Sequence, residues 1–407
     1  MNRIKKFLKI LGPGFITGAS DDDPSGIATY AQTGAIFGFT QLWTALFTFP
    51  LMTSVQEMCG RIGLVTGHGL AGVIKRHYSK SMLYTAVTLL LIANTINIGA
   101  NLGAMAASAS LLIDLPFVFW LIIMTVIILV LEIFITYKTY VKFLKYLAMS
   151  LLAYIATAFV IKVDWVQALR STLIPHLEFS KLYLMNIVAV FGTTISPYLF
   201  FWQANEEVEE EIAHHKLRRF GKGIPKVTPK DLTHLSFDTA MGMFFSNVTM
   251  WFIILIESAQ QAAEALRPLA GDFAFVLFAA GIIGTGFLAV PILSGSASYA
   301  VAESFNWSAG LYLKLRKAHG FYGVITIATL IGLLINFIGL NPIQALYYTA
   351  ILNGLIAPPL LIMILLIAND KIVMRGKVNG FLQNIFAVVT IFVMSAAALA
   401  LLVDFVR

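Results

Sequence analysis

Cysteine is nearly absent: Cys59 stands alone among 407 residues. That excludes a disulfide framework and any cysteine-held zinc or iron–sulfur centre. Charge is scarce as well, at 12% of residues against 58% hydrophobic, whereas a soluble domain carries about a quarter charged residues. The ten-residue alternation of barrel strands is missing, which argues against a transmembrane β-barrel. No polar stretch is long enough to form a soluble domain. Met1 to Ile10 is basic, but the apolar stretch behind it runs into Asp21-Asp22-Asp23-Pro24 rather than a small-residue cleavage site, so no cleavable signal peptide is expected.

What the chain has instead is a succession of apolar runs of roughly 20 residues, each able to cross a ~30 Å hydrocarbon layer as a helix. The predicted fold is an all-α, polytopic membrane protein of about eleven spans. They lie near 10–38, 41–66, 82–110, 116–136, 142–162, 184–205, 237–258, 273–301, 320–337, 342–367 and 380–403, in one transmembrane domain over 1–407. The longest polar segment, about 205–236, carries Glu206, Glu207, Glu209, Glu210 and Glu211 before Lys216, Arg218, Arg219 and Lys222. Its Glu-before-Lys/Arg spacing suits a short surface helix and a solvated connector. With the N-terminus in the cytoplasm, 23 of the 28 Lys and Arg residues fall in inside segments and 5 outside. The positive-inside rule then predicts a multi-pass cell-membrane protein with a cytoplasmic N-terminus and an external C-terminus. The net charge of +7 is mostly this bias, so no nucleic-acid partner is expected; the partners implied are the bilayer and a small cation.

Two spans carry their own interruptions. The first reads Gly18-Ala19-Ser20-Asp21-Asp22-Asp23-Pro24-Ser25-Gly26. Each carboxylate inside an apolar span costs roughly 2.5–3.5 kcal/mol even on the lenient insertion scale, so a structural or functional reason is required. Pro24 lacks an N–H and disfavours helix at Asp23, while Gly26 permits unwinding. The sixth span reads Gly192-Thr193-Thr194-Ile195-Ser196-Pro197-Tyr198. Unwound backbone at membrane depth persists where it lines a cavity, and paired Pro/Gly interruptions in corresponding spans point to a midplane site. Acids in one break favour a cationic substrate. Asp23 is the expected ligand; Asp21 and Asp22 are either ligands or caps and vestibule acids. Thr193 and Ser196 offer oxygen, although hydroxyls in membrane helices usually bond the preceding turn's carbonyl.

These residues resemble the Nramp family of divalent metal transporters, which has the LeuT fold. The family's first broken helix reads Asp-Pro-Gly-Asn, then Gln-Ser-Gly-Ala; here the counterparts are Asp23-Pro24-Ser25-Gly26 and Gln32-Thr33-Gly34-Ala35. Gly12-Pro13-Gly14-Phe15 matches too, as does Asn369-Asp370-Lys371 through Gly376 to Asn379. The resemblance implies a 5+5 inverted repeat with helices one and six broken: repeat one about 10–162, repeat two about 184–367, and an extra helix about 380–403. It implies transport rather than enzymatic activity, with the metal as substrate and no cofactor. The family's Asp is kept as Asp23, but its Asn ligand falls on Gly26 and its Met ligand on Ser196. A thioether suits transition metals, so a hydroxyl in its place removes the group that penalises hard cations. The wider site suits Mg²⁺, which keeps part of its water shell. The pattern is most similar to the divergent Nramp-related magnesium transporters, with Mn²⁺ carried alongside; aluminium transport by another divergent branch stays open.

The family's proton path is thinned in this sequence. Tyr198 stands where the family has His, and the family's acid on span three has no counterpart. Asn94, Asn97 and Asn101 share one face of that span, as ligand-side or packing residues. Transport without proton coupling is therefore expected. Asp238 and Glu303 are candidate gate acids or ordinary loop-end residues, and Asn353 is a secondary site candidate on span ten. Two alternatives compete: a proton-coupled Mn²⁺/Fe²⁺ transporter of the ordinary Nramp type, and an amino-acid permease of the same fold, whose substrate carboxylate three Asp residues would repel. An intramembrane aspartyl protease needs Tyr-Asp and Gly-x-Gly-Asp contexts on facing helices, and neither is present.

Overall fold

The computed structural model describes residues 12–135, 139, 151–159, 163–264 and 271–406. Regular structure is helical throughout these residues, with one isolated bridge between Arg219 and Lys222. The first predicted span is two short helices, α1 (Pro13–Asp21) and α2 (Pro24–Phe37). A 3-10 turn at Gly38–Gln41, opened by Gly38 at φ +57, leads into α3 (Trp43–Thr66). Next come α4 (Leu70–His77), α5 (Lys80–Leu112) and α6 (Phe117–Phe134). Two short helices follow, α7 (Leu152–Ala158) and α8 (Trp165–Leu173). The sixth predicted span is also a pair, α9 (Lys181–Thr194) and α10 (Pro197–Ala213). Five long helices complete the chain: α11 (Pro229–Glu264), α12 (Gly271–Phe305), α13 (His319–Ile335), α14 (Pro342–Asn369) and α15 (Phe381–Val406).

Local chemistry sets these boundaries. Proline opens α1, α2, α10 and α14, where its missing N–H is no loss and its fixed φ suits the first turn. Ser79, Ser180, Asn341 and Asp23 cap the helices they precede by accepting backbone N–H bonds. Eight helices among the described residues are long and apolar enough to cross a membrane; counting Pro24–Gln41 with Trp43–Thr66, bent by 107° at their junction, makes nine. Two of the eleven expected spans are not among these. The three carboxylates interrupt the first span, and the fifth lies outside the described residues except for 151–159.

Burial sorts the helices into centre and rim. The most apolar stretch of the α9–α10 span is 83% buried and that of α12 78%, against 28% for α6 and 28% for α15. The centre is therefore α1, α2, α9, α10 and α12, and the rim presents Val118, Ile122, Val126 and Val130 outward. Close helix approach at the centre rests on glycine, as expected where lipid supplies no hydrophobic drive between helices. A Cβ at Gly18 on α1 would lie 2.2 Å from the Gly242 backbone of α11. One at Gly192 on α9 would lie 2.1 Å from the Ala350 carbonyl of α14.

The expected solvated connector begins later than its charge pattern suggests. Helix α10 continues to Ala213, and Glu206, Glu207, Glu209 and Glu211 are buried rather than solvated. Glu209 accepts from the Tyr299 hydroxyl at 2.5 Å and the Leu311 amide at 2.7 Å, while Glu207 accepts from Gln203 at 3.0 Å. The expected Glu–Lys spacing is not what pairs these groups: Lys216 bonds Asp231 at 2.7 Å instead.

Candidate metal site

The chain is broken twice at the centre of the bundle. At the first break Asp22 ends α1 and Asp23, extended at φ −67 and ψ 171, caps α2. Asp23 Oδ1 accepts from the Gly26 amide at 2.8 Å and the Ser25 hydroxyl at 2.5 Å. Its Oδ2 accepts from two amides of α5, Asn101 at 3.1 Å and Asn97 at 3.3 Å. Two neutral amides thus hold the carboxylate in place without neutralising it. Asn97 Oδ1 in turn accepts from the Thr349 hydroxyl on α14 at 3.3 Å.

Asp21 and Asp22 turn to another wall. Both accept from Ser246 of α11, at 2.9 and 3.3 Å. Asp21 Oδ1 and Asp22 Oδ2 are buried with no hydrogen-bond partner. All three carboxylates are at most 1% exposed, and no Lys, Arg or His is paired with them among the described residues. Nor do three His, Cys, Asp or Glu side chains converge on one point among those residues. The consecutive acids therefore do not form a carboxylate cage, and further ligands to an ion would be hydroxyls, carbonyls and water.

The second break presents oxygen of this kind. Ile195 ends α9, and Ser196, extended at φ −83 and ψ 134, precedes Pro197. Ser196 Oγ donates to the carbonyls of Gly192 at 2.8 Å and Thr193 at 2.6 Å. The hydroxyl is thus engaged by the preceding turn and keeps only its lone pairs for an ion. Thr193 Oγ1 lies 3.4 Å from Ser25 Oγ, bringing the two breaks into contact. Gly26 sits under this junction: a Cβ there would meet the Asp21 carbonyl at 3.0 Å and Thr193 Oγ1 at 3.4 Å. Two tyrosines bond across the breaks. Tyr198 on α10 donates to the Ser20 carbonyl on α1 at 2.8 Å, and Tyr30 on α2 lies 3.0 Å from Thr194 Oγ1 on α9.

The outlying candidates have other partners. Asp238 on α11 accepts from the Gly12 amide at 2.7 Å and the Gly14 amide at 2.8 Å, capping the far end of α1 from Asp23. Glu303 accepts from the Gly69 and Gly72 amides and caps α4. Asn94 bonds the Leu293 carbonyl and Ser296 of α12, one turn away from the Asn97–Asp23 contact. Asn353 is buried on α14 with its amide nitrogen unpartnered, in the stretch whose backbone meets Gly192. Sequence reasoning missed Ser246 and Thr349: a single hydroxyl in an apolar helix has no local signature.

Residues 14–404 match the family model described as natural resistance-associated macrophage protein-like. The chain belongs to the Nramp family. Among curated relatives, it is 23% identical to the divalent metal cation transporter MntH of Caldanaerobacter subterraneus subsp. tengcongensis, over 95% of this chain and 90% of that protein. It is 24% identical to the protein of the same name from Clostridium acetobutylicum, over 92% and 86%. The structure resembles the Eremococcus coleocola manganese transporter with a TM-score of 0.78 at 16% identity, over 97% of this chain and 86% of the other. It also resembles Mhp1, a nucleobase-cation-symport-1 family transporter, with a TM-score of 0.61 at 14% identity, over 97% and 91%. The broken-helix architecture is therefore the one these transporters share. The chain is a multi-pass membrane protein that transports divalent metal cations; it is not an enzyme, and its metal is a substrate rather than a cofactor.

Proposed function

We propose that the transported ion binds between the two breaks, on Asp23 and on oxygen from Thr193 and Ser196, with the Gly26 turn alongside and water completing the shell. The observation that carries this reading is the Asp23 carboxylate: it is buried at a helix break, held by neutral amides and without a cationic partner among the described residues. Asp21 and Asp22 contribute negative potential beside the site rather than direct ligation, since both face Ser246. Asn97 holds Asp23, Tyr198 closes one side, and Asp238 and Asn353 support the surrounding helices. The two five-span repeats, 10–162 and 184–367, would supply one break each, and alternating access would proceed by their relative motion. The basic-residue bias supports a cytoplasmic N-terminus and an external C-terminus.

Every donor in this set is oxygen, so Mg²⁺ is a substrate together with Mn²⁺. Mn²⁺ is the ion named for a relative of the same fold, and it accepts the same octahedral oxygen environment. Metal movement is uncoupled from protons because Asn94, Asn97 and Asn101 line α5 where an acid would be needed to relay one. The coupled Mn²⁺/Fe²⁺ reading has one observation in its favour. Glu132, buried on α6 and bonded to Ser294, is a titratable group at membrane depth.

Proteoliposomes holding a pH-sensitive dye test both parts. Millimolar Mg²⁺ should suppress Mn²⁺ uptake, and uptake should leave internal pH unchanged. Unaltered Mn²⁺ uptake under millimolar Mg²⁺ would remove the magnesium assignment. Metal-dependent acidification abolished by Glu132→Gln would establish the coupled reading instead.

A further inference from the structure

We infer that a second, anion-binding site lies on the basic face of the protein, in the cavity between the α3–α4 turn, the loop around Gly221 and the α14–α15 loop, and that it takes a phosphate-bearing anion. The cavity measures about 380 Å³. Its polar lining includes His68, Arg76, His77 and Arg375, and no acid contributes to it. These are two arginines and two imidazoles from two separate segments of chain turned onto one hollow.

Two acids stand near this face without joining the cavity lining: Glu303 accepts from the Gly69 and Gly72 amides and keeps an electrostatic pull on Arg76 and Lys75, and Asp370 accepts from the amides of Ile372 and Val373. Among the described residues, Arg76 makes a single long hydrogen bond, to the Gly221 carbonyl at 3.4 Å. Arg375 adopts a left-handed backbone, φ +50, followed by Gly376 at φ +76. That conformation is uncommon for a long side chain, and here it goes with an arginine on the cavity wall. Burial, then the charges of Arg76, Arg375 and His77, push the His68 imidazole down to about 4. The smaller, electrostatic part of that shift comes from basic groups that face the same cavity.

The rim suits an amphiphile as well as a soluble ion. Ile224 and Ile372 stand on opposite loops at 70% and 84% exposure, at the mouth of the same cavity. Arginine pairs match phosphate oxygens bidentately, and basic pockets on the cytoplasmic side of membrane proteins hold anionic head groups. The source of the phosphate is therefore either a lipid head group or a soluble phosphate, and the two are separable.

The test uses the full chain in neutral detergent. Phosphatidylglycerol binding is counted by native mass spectrometry against phosphatidylcholine, and pyrophosphate binding is measured by calorimetry. Wild type should bind one or both probes above the phosphatidylcholine level. Arg76→Gln with Arg375→Gln should weaken that binding roughly tenfold or more. The Arg76→Lys, Arg375→Lys pair, which keeps the charge but not the bidentate fork, should fall between wild type and the Gln pair, and thermal unfolding midpoints of both pairs control for folding. Binding of phosphatidylglycerol alone identifies a lipid site, and binding of pyrophosphate a soluble-anion site. The inference is overturned if neither probe exceeds phosphatidylcholine, or if the Gln pair binds as tightly as wild type. None of these readouts depends on metal transport, so the proposed ion site and this one fail separately.

Discussion

The two breaks look alike in sequence, each a glycine-flanked interruption ending in proline, yet they satisfy their polar groups in opposite ways. At the first, carboxylates reach outward: Asp23 to α5, Asp21 and Asp22 to α11. At the second, hydroxyls fold inward, with Ser196 bonding Gly192 and Thr193, and Thr194 bonding Val190. The first break carries charge and is held by α5 and α11 as well as by its own Ser25 and Gly26, while the second turns most of its hydroxyls onto its own helix and presents neutral oxygen. An ion placed between them would take its electrostatic attraction from one side and its coordination shape from the other. This division explains why the acids are asymmetric although the backbone device is shared.

The largest test of that division is Asp23→Ala, which should lower metal uptake about a hundredfold or more while folded protein remains in the membrane. Uptake at near wild-type rate would end the claim that this carboxylate is the essential ligand. Next come the glycine crossings, where the breaks should behave alike. Gly18→Val and Gly192→Val each force a side chain into a neighbouring backbone, at a cost of roughly 2–3 kcal/mol or more. Thermal unfolding in detergent should show lowered midpoints for both; a tolerated valine at either position would mean that the crossing is looser than described. Smaller effects separate the breaks again. Asp21→Asn or Asp22→Asn should weaken apparent metal affinity about tenfold through lost potential, whereas Ser196→Ala should change it about threefold or less, because that hydroxyl already serves its own helix. A larger loss from Ser196→Ala than from Asp21→Asn would invert the comparison.

The smallest effect lies outside the membrane. His68 is neutral in the packed loop down to about pH 4, against about 6.5 when free. Above pH 6.5 neither form carries the proton. As pH falls from 6.5 toward 4, the opened loop takes up a proton that the packed loop refuses, so packing weakens. Amide exchange at Gly69 to Gly72, corrected for intrinsic rates and run without phosphate, should quicken between pH 7.5 and 5. His68→Gln should remove the difference.

Much of this is legible in the amino-acid sequence. Pro24 and Pro197 mark the breaks because proline's missing donor acts locally, and Asp23 stands out because a carboxylate in an apolar run is conspicuous. The shared face of Asn97 and Asn101 follows from helical spacing, although their grip on Asp23 does not. Distant partnerships left no mark: Asp238 caps a helix 224 residues earlier in the chain at Gly14. The Glu206–Glu211 run misled because its spacing matches a solvated surface helix, while its actual partners, such as Tyr299, lie far along the sequence.

The two tyrosine contacts across the breaks act as the bolts of an airlock. Tyr198 ties α10 to Ser20 of α1, and Tyr30 ties α2 to Thr194 of α9. Under the proposed alternating access, opening toward one compartment would break one contact and leave the other in place. A passage open at both ends would need both to break at once, so leakage would be opposed by the sum of the two bonds and each productive opening by only one.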